Sequence, residues 1–140
     1  MGYDIDRMKH QAEAFYIGYC RCNEQRILGP NRFEWPVAPV IVNAAFACEI
    51  YLKVLNQIAG KEMKGHHLDV LYDALPRDEQ DKIRKELKLI TSVFNEKLKK
   101  ISNSFVDWRY IFETPELEID LQFLTDFMEV LRGEVTSQTK

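Results

Sequence analysis

Pro39-Val40-Ile41-Val42-Asn43-Ala44-Ala45-Phe46-Ala47-Cys48-Glu49-Ile50-Tyr51-Leu52-Lys53-Val54-Leu55-Asn56-Gln57-Ile58-Ala59 is the stretch that decides the fold. It is apolar on most faces, and Asn43, Glu49, Lys53, Asn56 and Gln57 are its few polar residues. A surface helix shows a single apolar stripe, whereas a helix apolar all round is packed by neighbours on several sides. The run therefore predicts a central helix over about 39–59, stopped by Gly60. Glu49 and Lys53 stand four apart with the carboxylate first, the favourable order for an intrahelical ion pair.

Working outward, Ile5, Met8, Ala12, Phe15, Tyr16, Tyr19 and Cys22 recur at helical spacing, which predicts a first helix over about 4–27. Gly29-Pro30-Asn31 ends it with turn residues. Residues 32–39 read as a proline-bearing loop around Trp35. A short helix is expected over 68–75, stopped by Pro76. The stripe Ile83, Leu87, Ile90, Phe94, Leu98, Ile101 predicts one long helix from about Pro76 to Ser102. Ser102-Asn103-Ser104 marks a break, and 105–112 a short helix or turn. Thr114-Pro115 opens the last helix, Gly133 closes it, and a frayed tail follows from Val135. No alternating run predicts a strand. The expected fold is all-α: an up-and-down bundle of four long helices with one or two short ones. A single domain is expected over 1–140, with its core over about 5–133.

The chain has 140 residues, 46% of them hydrophobic and 29% charged, and a formal net charge of −3. That balance excludes a general polycation, so contact with nucleic acid needs a local patch. No run approaches eighteen uncharged apolar residues, and the acidic N-terminus lacks a signal-peptide core. Three cysteines, an odd number, read as reduced thiols. The expectation is a cytoplasmic protein without a membrane segment. Cys20 and Cys22 plus the distant Cys48 supply no fourth zinc ligand, so no metal is expected. Glycine-rich phosphate loops, a Gly-x-Ser-x-Gly elbow, His-Glu-x-x-His and Glu-x-x-His are all absent, so no cofactor is expected.

Two places could carry chemistry. His66 and His67 adjoin at a loop-to-helix boundary. They read either as a polar helix start or as a general base or phosphate contact. Asp107-Trp108-Arg109-Tyr110 combines stacking rings with a guanidinium fork suited to phosphate. The alternative is Arg109 paired to Asp107 or Glu113 with Trp108 buried. The lysine-rich segment around 82–100 and the acidic last helix, with its lone Arg132, have the opposite charges of antiparallel neighbours or of two surfaces of a dimer.

Taken in order, Glu49-Ile50-Tyr51-Leu52-Lys53, Gly65-His66-His67-Leu68 and Arg109-Tyr110 before Pro115 resemble the HEPN family, the higher eukaryote and prokaryote nucleotide-binding domain. The resemblance covers about residues 5–133. It implies an all-helical domain that forms homodimers through its long helices. It also implies either a metal-independent ribonuclease of toxin–antitoxin and phage-defence systems, or a non-catalytic module binding RNA, nucleotides or a nucleotidyltransferase partner. The ribonuclease members carry an Arg followed, after four to six residues, by a His. Here Tyr110-Ile111-Phe112-Glu113-Thr114-Pro115-Glu116 follow Arg109, and no His lies beyond His67.

Three readings follow. The first is a non-catalytic binding module using Arg109, Tyr110, Lys53, Glu49, Trp108 and His66 or His67. The second is a divergent ribonuclease that recruits His66 or His67 to Arg109. The third is a structural protein-interaction bundle with Arg109 consumed by neighbouring carboxylates.

Overall fold

The computed structural model describes residues 3–107 and 120–139. Trp108, Arg109, Tyr110, Thr114 and Pro115 therefore lie outside the described residues, and the last helix starts not at Thr114-Pro115 but at Leu121, where the Asp120 carboxylate accepts from the Phe123 amide and caps it. Within them the chain is mostly helical: α1 (Ile5–Cys22), α2 (Val37–Ile58), α3 (Leu68–Asp73), α4 (Arg77–Glu86), α5 (Thr91–Asp107) and α6 (Leu121–Gln138). A two-stranded hairpin, β1 (Arg26–Gly29) and β2 (Arg32–Glu34), joins α1 to α2.

Asp4 caps α1, its carboxylate accepting from the amides of Asp6 and Arg7 at 3.0 and 3.3 Å. The helix ends at Cys22, short of the predicted 27, because the chain turns into the hairpin. That hairpin corrects the expectation of no strand. Its register sets Arg26 opposite Glu34, Ile27 opposite Phe33 and Gly29 opposite Arg32, with an irregularity between Ile27 and Gly29. Asn31, at φ +61°, makes the left-handed turn between the strands. Trp35 Nε1 donates to Asn23 Oδ1 at 3.1 Å and closes the base.

Side-chain pairs fix the helix directions. Going up α1, Lys9 meets Thr139, Glu13 meets Arg132, Tyr16 meets Glu129 and Tyr19 meets Thr125. So α1 and α6 are antiparallel. Glu13 also meets Tyr51, and Phe15 stacks on Phe46, so α1 and α2 are antiparallel as well. α2 lies at the centre: thirteen of its residues are buried, among them Tyr51, Leu52 and Val54 at 0% exposure. By length and composition this helix could cross a bilayer, yet more than half of its most apolar stretch is buried within the bundle. The central position predicted for 39–59 is the one observed.

The single helix predicted over 76–102 is divided. Lys88 adopts φ +57°, α4 stops at Glu86, and α5 starts at Thr91. The Arg84 guanidinium donates to the Leu89 carbonyl at 3.2 Å across the break. Ile90, counted in the predicted apolar stripe, is 67% exposed because the interruption rotates it out of register. Helical direction is kept: Glu79 and Lys82 meet Gln138 and Glu134, while Phe94 and Lys97 meet Phe127 and Asp120. Both helices therefore run antiparallel to α6, and the pairs Lys82–Glu134 and Lys97–Asp120 realise the charge complementarity read from the sequence. A left-handed non-glycine residue costs roughly 1–2 kcal/mol. Lys88→Gly is accordingly expected to raise stability by about 0.5–1 kcal/mol once the added chain entropy is offset. A urea midpoint equal to or below that of the parent chain would contradict this.

Two further corrections concern the other helices. α5 continues through Ser102-Asn103-Ser104 to Asp107; Ser102 is buried and its hydroxyl donates to Asp69 Oδ1 at 2.8 Å, so it packs instead of breaking the helix. α6 passes through Gly133 to Gln138, and Val135, expected in a frayed tail, is fully buried.

Candidate functional site

The site is built on the C-terminal half of α2 and on the segment that leads from α2 into α3. α2 finishes in a Schellman turn: the Gly60 amide donates to Gln57 O at 3.0 Å and the Lys61 amide to Asn56 O at 2.8 Å. Gly60, at φ +87°, supplies the left-handed residue the turn requires. The chain then runs back along the bundle to α3. Asn56, fully buried, anchors α3 by donating from Nδ2 to the carbonyls of Leu52 and Leu71 at 3.0 and 2.9 Å. Lys61 Nζ donates to Ala74 O at 2.7 Å. These ties hold the segment before α3 against the flank of α2 and deliver His66 to Glu49.

Glu49 is 5% exposed. Its Oε1 lies 2.8 Å from His66 Nδ1 and its Oε2 3.2 Å from Lys53 Nζ. A carboxylate only accepts, so Nδ1 carries the proton and Nε2 points away from the pair. The His66 side chain is 71% exposed and Lys53 only 17%. The result is a buried carboxylate that orients one imidazole and one ammonium side by side. The ion pair predicted between Glu49 and Lys53 is present. His67 is exposed and occupies the N-cap position of α3 without a side-chain cap bond, so the two histidines are separated in role.

Glu49 and Lys53 also line a cleft of about 320 Å³ between α1 and α2, with Tyr3, Gln11, Phe15 and Phe46 among its other walls. The Phe15 and Phe46 rings stack at 5.1 Å between centroids. The cleft falls at the lower end of the roughly 300–1,000 Å³ typical of small-molecule sites.

A second polar cluster was not among the predicted site residues. Glu13 accepts from Tyr51 Oη at 2.6 Å and from Arg132 Nε and Nη2 at 3.1 and 3.2 Å. The Arg132 guanidinium sits 4.2 Å from the Tyr16 ring centroid, and Tyr16 Oη donates to Glu129 at 2.9 Å. Burial by itself pushes the Glu13 carboxyl up, but the bonds from Tyr51 and Arg132 and the charges of Arg132 and Lys9 hold it below its ordinary value. Burial, then the bond to Glu13, push the Tyr51 hydroxyl well above its ordinary range. The lone arginine of an acidic helix was the signal for this cluster. Its partner, 119 positions away, was invisible.

Among the described residues, no group of three or more His, Cys, Asp or Glu side chains is arranged to hold a metal ion. Cys48 is buried, and burial raises its thiol far above the ordinary value, so it stays protonated. Comparison with protein-family models, curated proteins and solved structures finds no match.

Proposed function

We propose that this chain is a HEPN-like nucleotide- or RNA-binding module, of the kind the family employs in toxin–antitoxin or phage-defence settings, built as an up-and-down bundle of four long helices. The observation that carries the reading is the Glu49–His66–Lys53 cluster at the edge of the aromatic-walled cleft. Lys53 uses one N–H on Glu49 and keeps two for phosphate oxygens. Phe15, stacked on Phe46, gives the cleft an apolar lining against which a base can pack, and Gln11 can read its polar edge. Arg109 and Tyr110, with Trp108 preceding them in the sequence, are the further ligand contacts this reading assigns. A homodimer or a nucleotidyltransferase partner would complete it.

The test is equilibrium binding of a labelled mixed RNA pool and of nucleoside phosphates. Lys53→Ala and His66→Ala should each weaken binding roughly tenfold to hundredfold, the worth of one charge-assisted hydrogen bond. Unchanged affinity in both, with melting temperatures retained, sinks the proposal.

One observation favours a second reading, a metal-independent ribonuclease. Glu49 bonded to His66 Nδ1 is the carboxylate–imidazole pairing that fixes a tautomer and turns Nε2 outward as a base. Lys53 then stands beside the place where negative charge would develop. RNA cleavage that persists in EDTA and disappears in His66→Ala, Glu49→Gln and Arg109→Ala would move the chain to this class.

A further inference from the structure

The hairpin carries a surface the bundle does not use. Ile27, Leu28 and Phe33 are exposed at 85%, 52% and 59%. Among the described residues the sheet has two strands, so β2 pairs only with β1 there. An isolated two-stranded hairpin is marginally stable in water, and an open strand edge is a template for another chain.

The composition of β2 selects which chain. Side chains alternate across a strand, so Arg32 and Glu34 share one face and Phe33 takes the other. Set a second copy of β2 antiparallel to the first, with the two-fold axis at Phe33. Arg32 of each copy then faces Glu34 of the other, and the two Phe33 rings face one another. Arg26 already stands opposite Glu34 within each hairpin. Each polar row of the joined sheet would therefore read Arg26, Glu34, Arg32, alternating in sign. The opposite face would carry one continuous apolar row: Ile27, Phe33, Phe33, Ile27. The outer edge of β1 has no such symmetry. Arg26 is its single charge, and pairing about Ile27 would set Arg26 against Leu28.

We propose that the β1–β2 hairpin is a homodimerisation edge, at which two copies of this chain join through antiparallel β2 strands centred on Phe33. The contact is isologous, as closed two-fold dimers require. It is independent of the ligand reading. It also lies away from the long helices that the family resemblance implies as a dimer seam.

Sedimentation equilibrium of the full chain over a concentration series tests it. The parent chain should self-associate as a dimer. Arg32→Glu and Glu34→Arg should each weaken association by about tenfold or more, because symmetry turns two attractive pairs repulsive at once. Mixing the two variants should restore a heterodimer, since an all-acidic edge then meets an all-basic one. Helical circular dichroism should be unchanged in both; if either loses it, Phe33→Ser replaces that variant and should also weaken the dimer. A parent chain that stays monomeric throughout would overturn the proposal. So would a dimer that all three substitutions leave intact, or a mixture no tighter than either variant alone.

Discussion

Phe94→Ala is expected to destabilise the protein by about 3–5 kcal/mol. Phe94 is fully buried on α5, and its ring lies 4.9 Å from Tyr72 on α3 and 5.9 and 6.1 Å from Phe123 and Phe127 on α6. Three helices thus meet on one ring. Removing it forfeits the transfer free energy of the benzyl group, leaves a cavity, and deletes tilted and edge-on ring pairs worth roughly 0.5–1.5 kcal/mol each beyond area. A domain's whole stability is about 5–15 kcal/mol, so the variant should sit near its unfolding transition at ambient temperature. Phe94→Leu fills most of the space and should be much milder. Urea denaturation of the pair reads both. A Phe94→Ala loss below about 1 kcal/mol would mean that the junction of α3, α5 and α6 is not packed around this ring.

Tyr51→Phe is expected to cost about 1.5–3 kcal/mol near neutral pH. The change keeps the buried ring and removes only the hydroxyl that donates to Glu13 at 2.6 Å. The sign of its pH dependence follows from Glu13. That carboxyl is held below its ordinary value in the fold, so its stabilisation is complete above the unfolded value and is lost as pH falls through the folded one. The gap between Tyr51→Phe and the parent should therefore be widest at neutral pH and narrow on acidification below the ordinary glutamate range, where only a neutral hydrogen bond remains. Paired urea titrations at neutral and acid pH measure it. A gap that widens on acidification would show that Tyr51 acts through something other than ionised Glu13.

The features legible in the sequence are those set by near neighbours along the chain. α2 falls within two residues of its expected bounds because its apolar run and its glycine stop are both local. The Glu49–Lys53 pair needs only helical spacing. The hairpin was missed because its strands are four and three residues long and mostly exposed, so no alternation of burial marks them. The division of 76–102 turns on Lys88, a residue type that seldom signals a left-handed backbone. α6 outlasts Gly133 because Lys9 and Glu79 bind Thr139 and Gln138 from other helices. The Glu49–His66 bond likewise depends on the path of the chain after Gly60, which carries no periodicity to read.

The antiparallel seam between α1 and α6 has a consequence for synthesis on the ribosome. Glu13, Tyr16 and Tyr19 emerge early, with α2 soon after, and these two helices can pair at once across a short hairpin. Their partners Arg132, Glu129 and Thr125 are the last of the described elements to be made. Until then, one flank of the most apolar helix stands open to water. Nascent chains fold from the N-terminal side as they emerge, and transiently bare apolar surface invites aggregation. A stalled chain that lacks α6 should therefore be a chaperone client, and release of the last helix should end that dependence in a single late step.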